Sequence, residues 1–183
     1  NYQQSRDEFR LPLPGRVKSL AFSPDGRLLA AAAMRALYLI DVQSGQASEP
    51  LPHVSLISGL SFNPAGDQLA VSNGYRINIW DTLHRQSLGT VENLDAIPIY
   101  ALAWSPDGQF LATGDDKFGL QIWDTLAWAT PAYTDKWAFG GPIRTLAWSP
   151  NGKLLASGGR DGNVILWGKP EGAYGYVEYL DLA

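Results

Sequence analysis

A tight-turn signature that returns four times at near-constant spacing constrains this chain more than any other feature. AFSPDG begins at Ala21, SFNPAG at Ser61, AWSPDG at Ala103 and AWSPNG at Ala147, so Pro24, Pro64, Pro106 and Pro150 stand 40, 42 and 44 residues apart. A second landmark keeps the same register, because Ile40, Trp80, Trp123 and Trp167 follow those prolines by 16, 16, 17 and 17 residues. A period in this range is the mark of a repeat architecture whose units bury their apolar faces against one another.

Each unit reads as an antiparallel meander. In 102–124, LAWSPDGQFLATGDDKFGLQIWD, an alternating apolar stretch runs into Ser105-Pro106-Asp107-Gly108. Serine suits the first position of a type I turn, proline presets φ at the second, aspartate is tolerated at the third and glycine at the fourth. A second strand over Gln109 to Gly114, a polar reversal, and a third strand over Leu120 to Trp123 follow. The second strands read RLLAAAA, DQLAVSN, QFLATGD and KLLASGG, each apolar at the start and small at the end. Close packing near a common axis explains the small residues. Fourth strands are expected in the connectors, over Ala47 to Leu51, Gln86 to Thr90, Trp128 to Tyr133 and Tyr174 to Leu182.

These residues resemble the WD-repeat β-propeller family, whose four-stranded blades have a period of roughly 40 to 45 residues and a Trp-Asp ending on the third strand. IWD stands intact at 79–81 and 122–124, becomes LID at 39–41 and LWG at 166–168. The resemblance implies an all-β fold of four four-stranded antiparallel blades in one domain over 1–183. The repeats would run over about 15–52, 55–95, 97–138 and 141–182, and residues 8–13 would form the outer strand of a preceding or closing blade. It also makes Trp80, Asp81, Trp104, Trp123, Asp124, Trp148 and Trp167 structural repeat positions. Members often carry a Gly-His pair whose histidine joins a turn aspartate, a hydroxyl and the tryptophan in a hydrogen-bonded brace. No Gly-His occurs here; Asp161 matches the turn aspartate and His53 falls before the second repeat, so packing rather than a brace is expected to hold the blades.

Propellers hold about 4 to 8 blades, and the family commonly closes with seven or eight. Four therefore form an open arc or half of a larger ring, with apolar blade faces exposed. Further blades in a parent chain, a homodimer completing an eight-bladed ring, or closure of the four alone would resolve this, in that order of preference. The opening Asn1 is consistent with a piece of a longer chain.

Composition narrows the functions. Of 183 residues 45% are hydrophobic and 17% charged, which suits one sizeable core. With 14 basic and 18 acidic residues the net charge is −4, and no run of like charge recommends nucleic acid or an anionic membrane as partner. The chain has no cysteine, which fits a reducing, cytoplasmic setting. Only His53 and His84 are present, neither at metal-ligand spacing. No nucleophile elbow, P-loop, dinucleotide or zinc-protease motif occurs. Asp115-Asp116 is the nearest approach to a carboxylate pair, but adjacent strand residues point apart, and calcium would need more oxygens than the flanking Lys117 leaves. No catalytic residue, metal site or cofactor is expected.

Function must then reside on a face of the scaffold. Seven residues before each proline stands Val17, Ile57, Ile99 or Ile143, always β-branched; the next position is Lys18, Ser58, Tyr100 or Arg144. Constant positions pack and variable ones face outward, near the loops Met34-Arg35, Tyr75-Arg76, Lys117-Phe118 and Arg160-Asp161. Arginines and aromatics are the composition of binding hot spots. The candidate partner-binding residues are Lys18, Arg35, Tyr75, Arg76, Tyr100, Phe118, Trp137, Arg144 and Arg160, the Trp137 segment including Trp128, Tyr133 and Phe139. The expected function is a non-catalytic protein-protein interaction scaffold or sensor that binds a protein or peptide. The SPDG turns and LLASGG strand resemble bacterial propellers, often attached to signalling ATPases or kinases. The alternatives are a propeller appended to an enzyme such as a signalling ATPase, kinase or hydrolase, and a structural assembly subunit.

Overall fold

A computed structural model describes residues 10–93, 95–117, 119–135, 141–168 and the strand 177–179. The chain is all-β and folds into four antiparallel four-stranded sheets, each a blade of consecutive strands. Blade 1 holds β1 (Val17–Phe22), β2 (Leu28–Ala33), β3 (Ala36–Asp41) and β4 (Leu51–Pro52). Blade 2 holds β5 (Ile57–Phe62), β6 (Gln68–Asn73), β7 (Arg76–Asp81) and β8 (Gln86–Glu92). Blade 3 holds β9 (Ile99–Trp104), β10 (Phe110–Asp115), β11 (Leu120–Asp124) and β12 (Tyr133–Asp135). Blade 4 holds β13 (Ile143–Trp148), β14 (Leu154–Gly159), β15 (Val164–Gly168) and β16 (Val177–Tyr179).

The turn signature acts through its side chains as well as its backbone. Gly26 N–H donates to the Ser23 carbonyl at 2.9 Å, closing the turn. Ser23 Oγ donates to Asp25 Oδ1 at 2.6 Å and accepts the Leu28 N–H at 2.9 Å, so one hydroxyl ties the turn to the strand it launches. Ser105 with Asp107 and Phe110, and Ser149 with Asn151 and Leu154, repeat the arrangement. The closing glycine has φ of +71° at Gly26 and +75° at Gly108, a left-handed conformation that favours glycine there.

The core lies between blades. Leu37 and Leu39 of blade 1 pack on Leu60 and Phe62 of blade 2. Ile77 and Ile79 pack on Leu102 and Trp104, and Leu120 and Ile122 on Ile143, Leu155 and Trp167. At the axis the strands approach so closely that a Cβ built on Gly114 would fall 2.7 Å from Ile143 Cβ. The inner strands β1, β5, β9 and β13 pack side by side in that order. Among the described residues no packing of comparable extent joins β13 back to β1, so the four blades form an arc and do not close on one another.

The outer strands and the N-terminal segment depart in detail from expectation. Blade 1 pairs through Leu51–Pro52, while Ala47 makes only an isolated bridge to Ile40. In blade 3 the strand begins at Tyr133, because Trp128 is drawn out of register to pack edge-on against Trp104, ring centroids 6.2 Å apart. Residues 10–13 form no strand; Leu11 and Leu13 lie on Ala31, Ala33, Tyr38 and Ile40 of blade 1.

The expectation that packing alone braces the blades is corrected in two of them. Trp123 Nε1 donates to Thr113 Oγ1 at 3.3 Å and Trp167 Nε1 to Ser157 Oγ at 2.6 Å. The remaining repeat tryptophans bond to backbone or pack: Trp104 Nε1 donates to the Gly108 carbonyl at 3.1 Å, and Trp148 Nε1 crosses to the Ala103 carbonyl of blade 3 at 3.0 Å. The aspartates that end the third strands of blades 2 and 3 cap the connectors beyond them. Asp81 accepts the N–H groups of Leu83 and His84, and Asp124 that of Leu126. Among the described residues no helix is long and apolar enough to cross a membrane.

Candidate functional site

One end of the arc gathers the loops between second and third strands with the starts of the inner strands. Within a blade, Asp116 N–H donates to the Pro98 carbonyl at 3.0 Å and Arg160 N–H to the Pro142 carbonyl at 3.1 Å. Between blades, Ile57 N–H donates to the Met34 carbonyl at 3.2 Å and Ile99 N–H to the Gly74 carbonyl at 2.8 Å. These bonds stitch the loops into a continuous rim. The variable position that follows Val17, Ile57, Ile99 or Ile143 stands at the start of an inner strand beside this rim; Ile57, Ile99 and Ile143 are buried, while Val17 is exposed.

Tyr100 and Arg144 meet there across the junction of blades 3 and 4. The Arg144 guanidinium lies 4.0 Å from the Tyr100 ring centroid, over its face, and its Nη2 is 3.5 Å from Asp116 Oδ1. The cation sits on the negative face of the ring with a carboxylate at its edge. Arg144 and Asp116 are each about 40% exposed, so their pairing is weak and open to exchange with another charged group.

The adjacent Asp115 faces the other way and is buried. Its Oδ1 accepts the N–H groups of Lys117 at 2.8 Å and Gly119 at 2.9 Å. Burial pushes its carboxyl above the usual carboxylate range against the pull of those hydrogen bonds. The two aspartates therefore divide between a turn brace and the rim, and do not form an acid–base pair.

A second cluster stands on blade 2. The Arg76 guanidinium lies 4.6 Å from the Tyr75 ring centroid, and Arg76 Nε donates to Glu92 Oε1 at 2.7 Å. Beside it a cleft of about 560 Å³ opens between Pro52 of β4, the connector residues His53 and Val54, and Trp80, Ser87 and Glu92 of blade 2. His53 accepts an N–H of Asn73 at Nδ1, 3.2 Å away, and its ring lies 5.6 Å from that of Trp80. Burial holds its pKa below the ordinary value.

Of the residues singled out from the sequence, the structure brings Tyr100 to Arg144 and Tyr75 to Arg76. Lys18, Arg35 and Arg160 are exposed and join neither cluster. Phe118, Trp137 and Phe139 lie outside the described residues, while Trp128 is tucked against the core between blades 2 and 3. Sequence reasoning missed Asp116 as the partner of Arg144 and Glu92 as the partner of Arg76. The first pair joins different repeats, and the second needs the register of β7 against β8. Among the described residues no group of three or more His, Asp or Glu is placed to hold a metal ion.

The profile of the family described as WD domain, G-beta repeat matches residues 9–34, 87–124 and 135–168, more than half of the chain. Small ribosomal subunit protein RACK1 of Drosophila melanogaster is 29% identical over 118 residues, covering 60% of this chain and 37% of that protein. Periodic tryptophan protein 2 of Arabidopsis thaliana is 29% identical over 126 residues, 64% of this chain and 13% of its own length. COMPASS component SWD3 of Saccharomyces cerevisiae is 40% identical over 60 residues, 33% of this chain and 19% of its own. The chain thus spans 37% or less of the length of each of these relatives. They are eukaryotic, and give no support to the bacterial and signalling resemblance of the turns.

Proposed function

This chain belongs to the WD-repeat family, and we propose that it is a non-catalytic interaction module that holds a protein or peptide on the rim centred on Tyr100 and Arg144. The observation that carries the reading is the stacked pair itself, an aromatic face and a guanidinium presented together at the junction of blades 3 and 4. A flat ring and a rigid fork of donors are what interface hot spots are made of, because they offer large contact area and directed hydrogen bonds at little conformational entropy. The relatives support it as far as their names go: one is a ribosomal subunit protein, another a component of COMPASS.

The proposed unit is a single domain with repeats over about 15–52, 55–95, 97–138 and 141–182. Tyr75, Arg76, Arg35, Lys18 and Arg160 extend the same rim and would set orientation through charge. Phe118 and Trp137 remain candidates by sequence. The setting proposed for the module is cytoplasmic. A role as a structural assembly subunit is compatible with the rim function, since the free blade faces are a separate surface.

The test is capture of a binding partner by the wild-type chain and by Tyr100→Ala and Arg144→Ala. Both variants should lose capture while the melting temperature stays within a few degrees of wild type. Capture that is unchanged by both substitutions would overturn the assignment of the rim.

A further inference from the structure

The two ends of the blades differ in charge. The end opposite the rim gathers the turns between first and second strands with the connectors that leave the third strands. Val42 N–H donates there to the Arg27 carbonyl at 2.9 Å and Thr82 N–H to the Asp67 carbonyl at 3.0 Å. Asp25, Asp67 and Asp107 stand in these turns, and Asp41, Asp81 and Asp124 end the third strands beside them. Arg27, Arg85 and Lys153 offset only part of that charge.

The rim bears the opposite sign. Arg16, Lys18, Arg35, Lys117 and Arg160 are exposed, and among the described residues none of them stands in an ion pair. The acids of this end are largely engaged. Asp115 is buried in its turn, Glu92 is bound to Arg76, and Asp161 accepts two N–H groups of Asn163 at 3.1 and 3.0 Å. Asp95 is exposed on the connector between blades 2 and 3.

Arg144 is the cation of this end that is held in place and yet short of an acceptor. Stacking on Tyr100 occupies one face of its guanidinium and leaves the N–H groups, which lie in the plane, available for hydrogen bonds. Asp116 approaches them at 3.5 Å, longer than the roughly 2.7–3.2 Å of a good N–H···O bond. Arg76, by contrast, is closed on Glu92 at 2.7 Å.

We propose that the rim takes an acidic segment of a partner protein, one of whose carboxylates displaces Asp116 at Arg144 and accepts the paired N–H groups that Asp116 does not reach. This rests on the reading of the rim as the binding face, and adds the charge of what binds there. The unpaired cations steer the segment toward the rim, and the aspartates of the far end repel it. Nucleic acid fits less well, because a continuous phosphate backbone would meet Asp95 and Asp161 on a chain whose net charge is −4.

Fluorescence anisotropy with the full chain and three labelled probes tests the proposal. The probes are a peptide of alternating glutamate and serine, the same peptide with glutamine in place of glutamate, and a single-stranded oligonucleotide of equal charge. The glutamate peptide is expected to bind about tenfold more tightly than either of the others at low salt, a preference that shrinks as salt is added. Arg144→Gln should remove most of the preference, whereas Lys153→Gln, at the far end, should leave it unchanged. In Asp116→Asn the competing carboxylate is gone, so the glutamate peptide should bind about two- to fivefold more tightly, a gain that misfolding cannot imitate. Equal binding of the two peptides, or no gain in Asp116→Asn, overturns the proposal, and tightest binding of the oligonucleotide overturns it in favour of nucleic acid. If Tyr100→Ala and Arg144→Ala abolish capture of a protein partner while the glutamate peptide has no advantage, the rim assignment stands and this inference alone falls.

Discussion

The Trp167 indole donates its N–H to the Ser157 hydroxyl at 2.6 Å, and the equivalent position in blade 2 is Val71, which has no hydroxyl to offer. Blade 3 makes the same bond through Thr113. Blade 1 has neither partner, since Ala31 and Ile40 stand at the two positions. Blade 2 alone among the described blades keeps the tryptophan without its acceptor, and Trp80 Nε1 is buried with no hydrogen-bond partner.

Val71→Thr should therefore stabilise the protein. It replaces a methyl by a hydroxyl at the register from which Thr113 and Ser157 serve their tryptophans. A satisfied bond contributes about 1 kcal/mol net, and relieving a buried orphan donor adds to it. For a domain of this size that is a rise of roughly 2–4 °C in melting temperature. In a Trp80→Phe background the same substitution should instead be destabilising by about 1 kcal/mol, because the new hydroxyl then has nothing to serve. Equal effects in the two backgrounds would show that the hydroxyl does not reach the indole.

Gly114→Ala tests how closely the blades approach at the axis. Its φ is not in the left-handed region, so the substitution carries no backbone penalty. The added methyl instead lands 2.7 Å from Ile143 Cβ in the next blade, backbone-anchored on both sides. Forcing β10 and β13 apart should cost about 1–3 kcal/mol, as overpacking of a tight core does, measured by urea unfolding. A loss below about 0.5 kcal/mol would mean that the arc yields easily at that junction.

Asp115→Asn probes a carboxylate that is buried for geometric reasons. The folded-state pKa of Asp115 is raised above its ordinary 3.8 chiefly by burial. A raised carboxyl binds its proton more readily in the fold than in the unfolded chain, so stability falls as pH rises from 3.8 through the folded value, and the full penalty is present at neutral pH. Asparagine keeps the Oδ1 that serves Lys117 and Gly119 and removes the charge. The variant should be more stable than wild type at pH 7, and the advantage should vanish as the pH falls below the ordinary carboxylate value of 3.8. A variant that is less stable at pH 7 and unchanged at low pH would mean that the charge itself strengthens the turn.

The repeat period, the turn chemistry, the blade count and the tryptophan positions are all legible in the chain, because each depends on residues within one unit. The Ser-Pro-Asp-Gly turn needs only its own hydroxyl and carboxylate, and the alternation of Leu102 and Trp104 needs only the period of a strand. The tertiary structure decided what joins one unit to another or depends on strand register. Arg144 finds Tyr100 and Asp116 because blade 4 is turned so that its inner strand leans on the loop of blade 3. Trp123 and Trp167 find Thr113 and Ser157 ten residues away because a two-residue offset in the β10–β11 and β14–β15 registers puts indole and hydroxyl on one face. Whether Leu20 and Phe22 are core or surface cannot be read from their identity, since Leu60 and Phe62 are the same residues in the same motif and are buried. What separates them is a neighbouring blade, and burial belongs to the pair of surfaces rather than to either one.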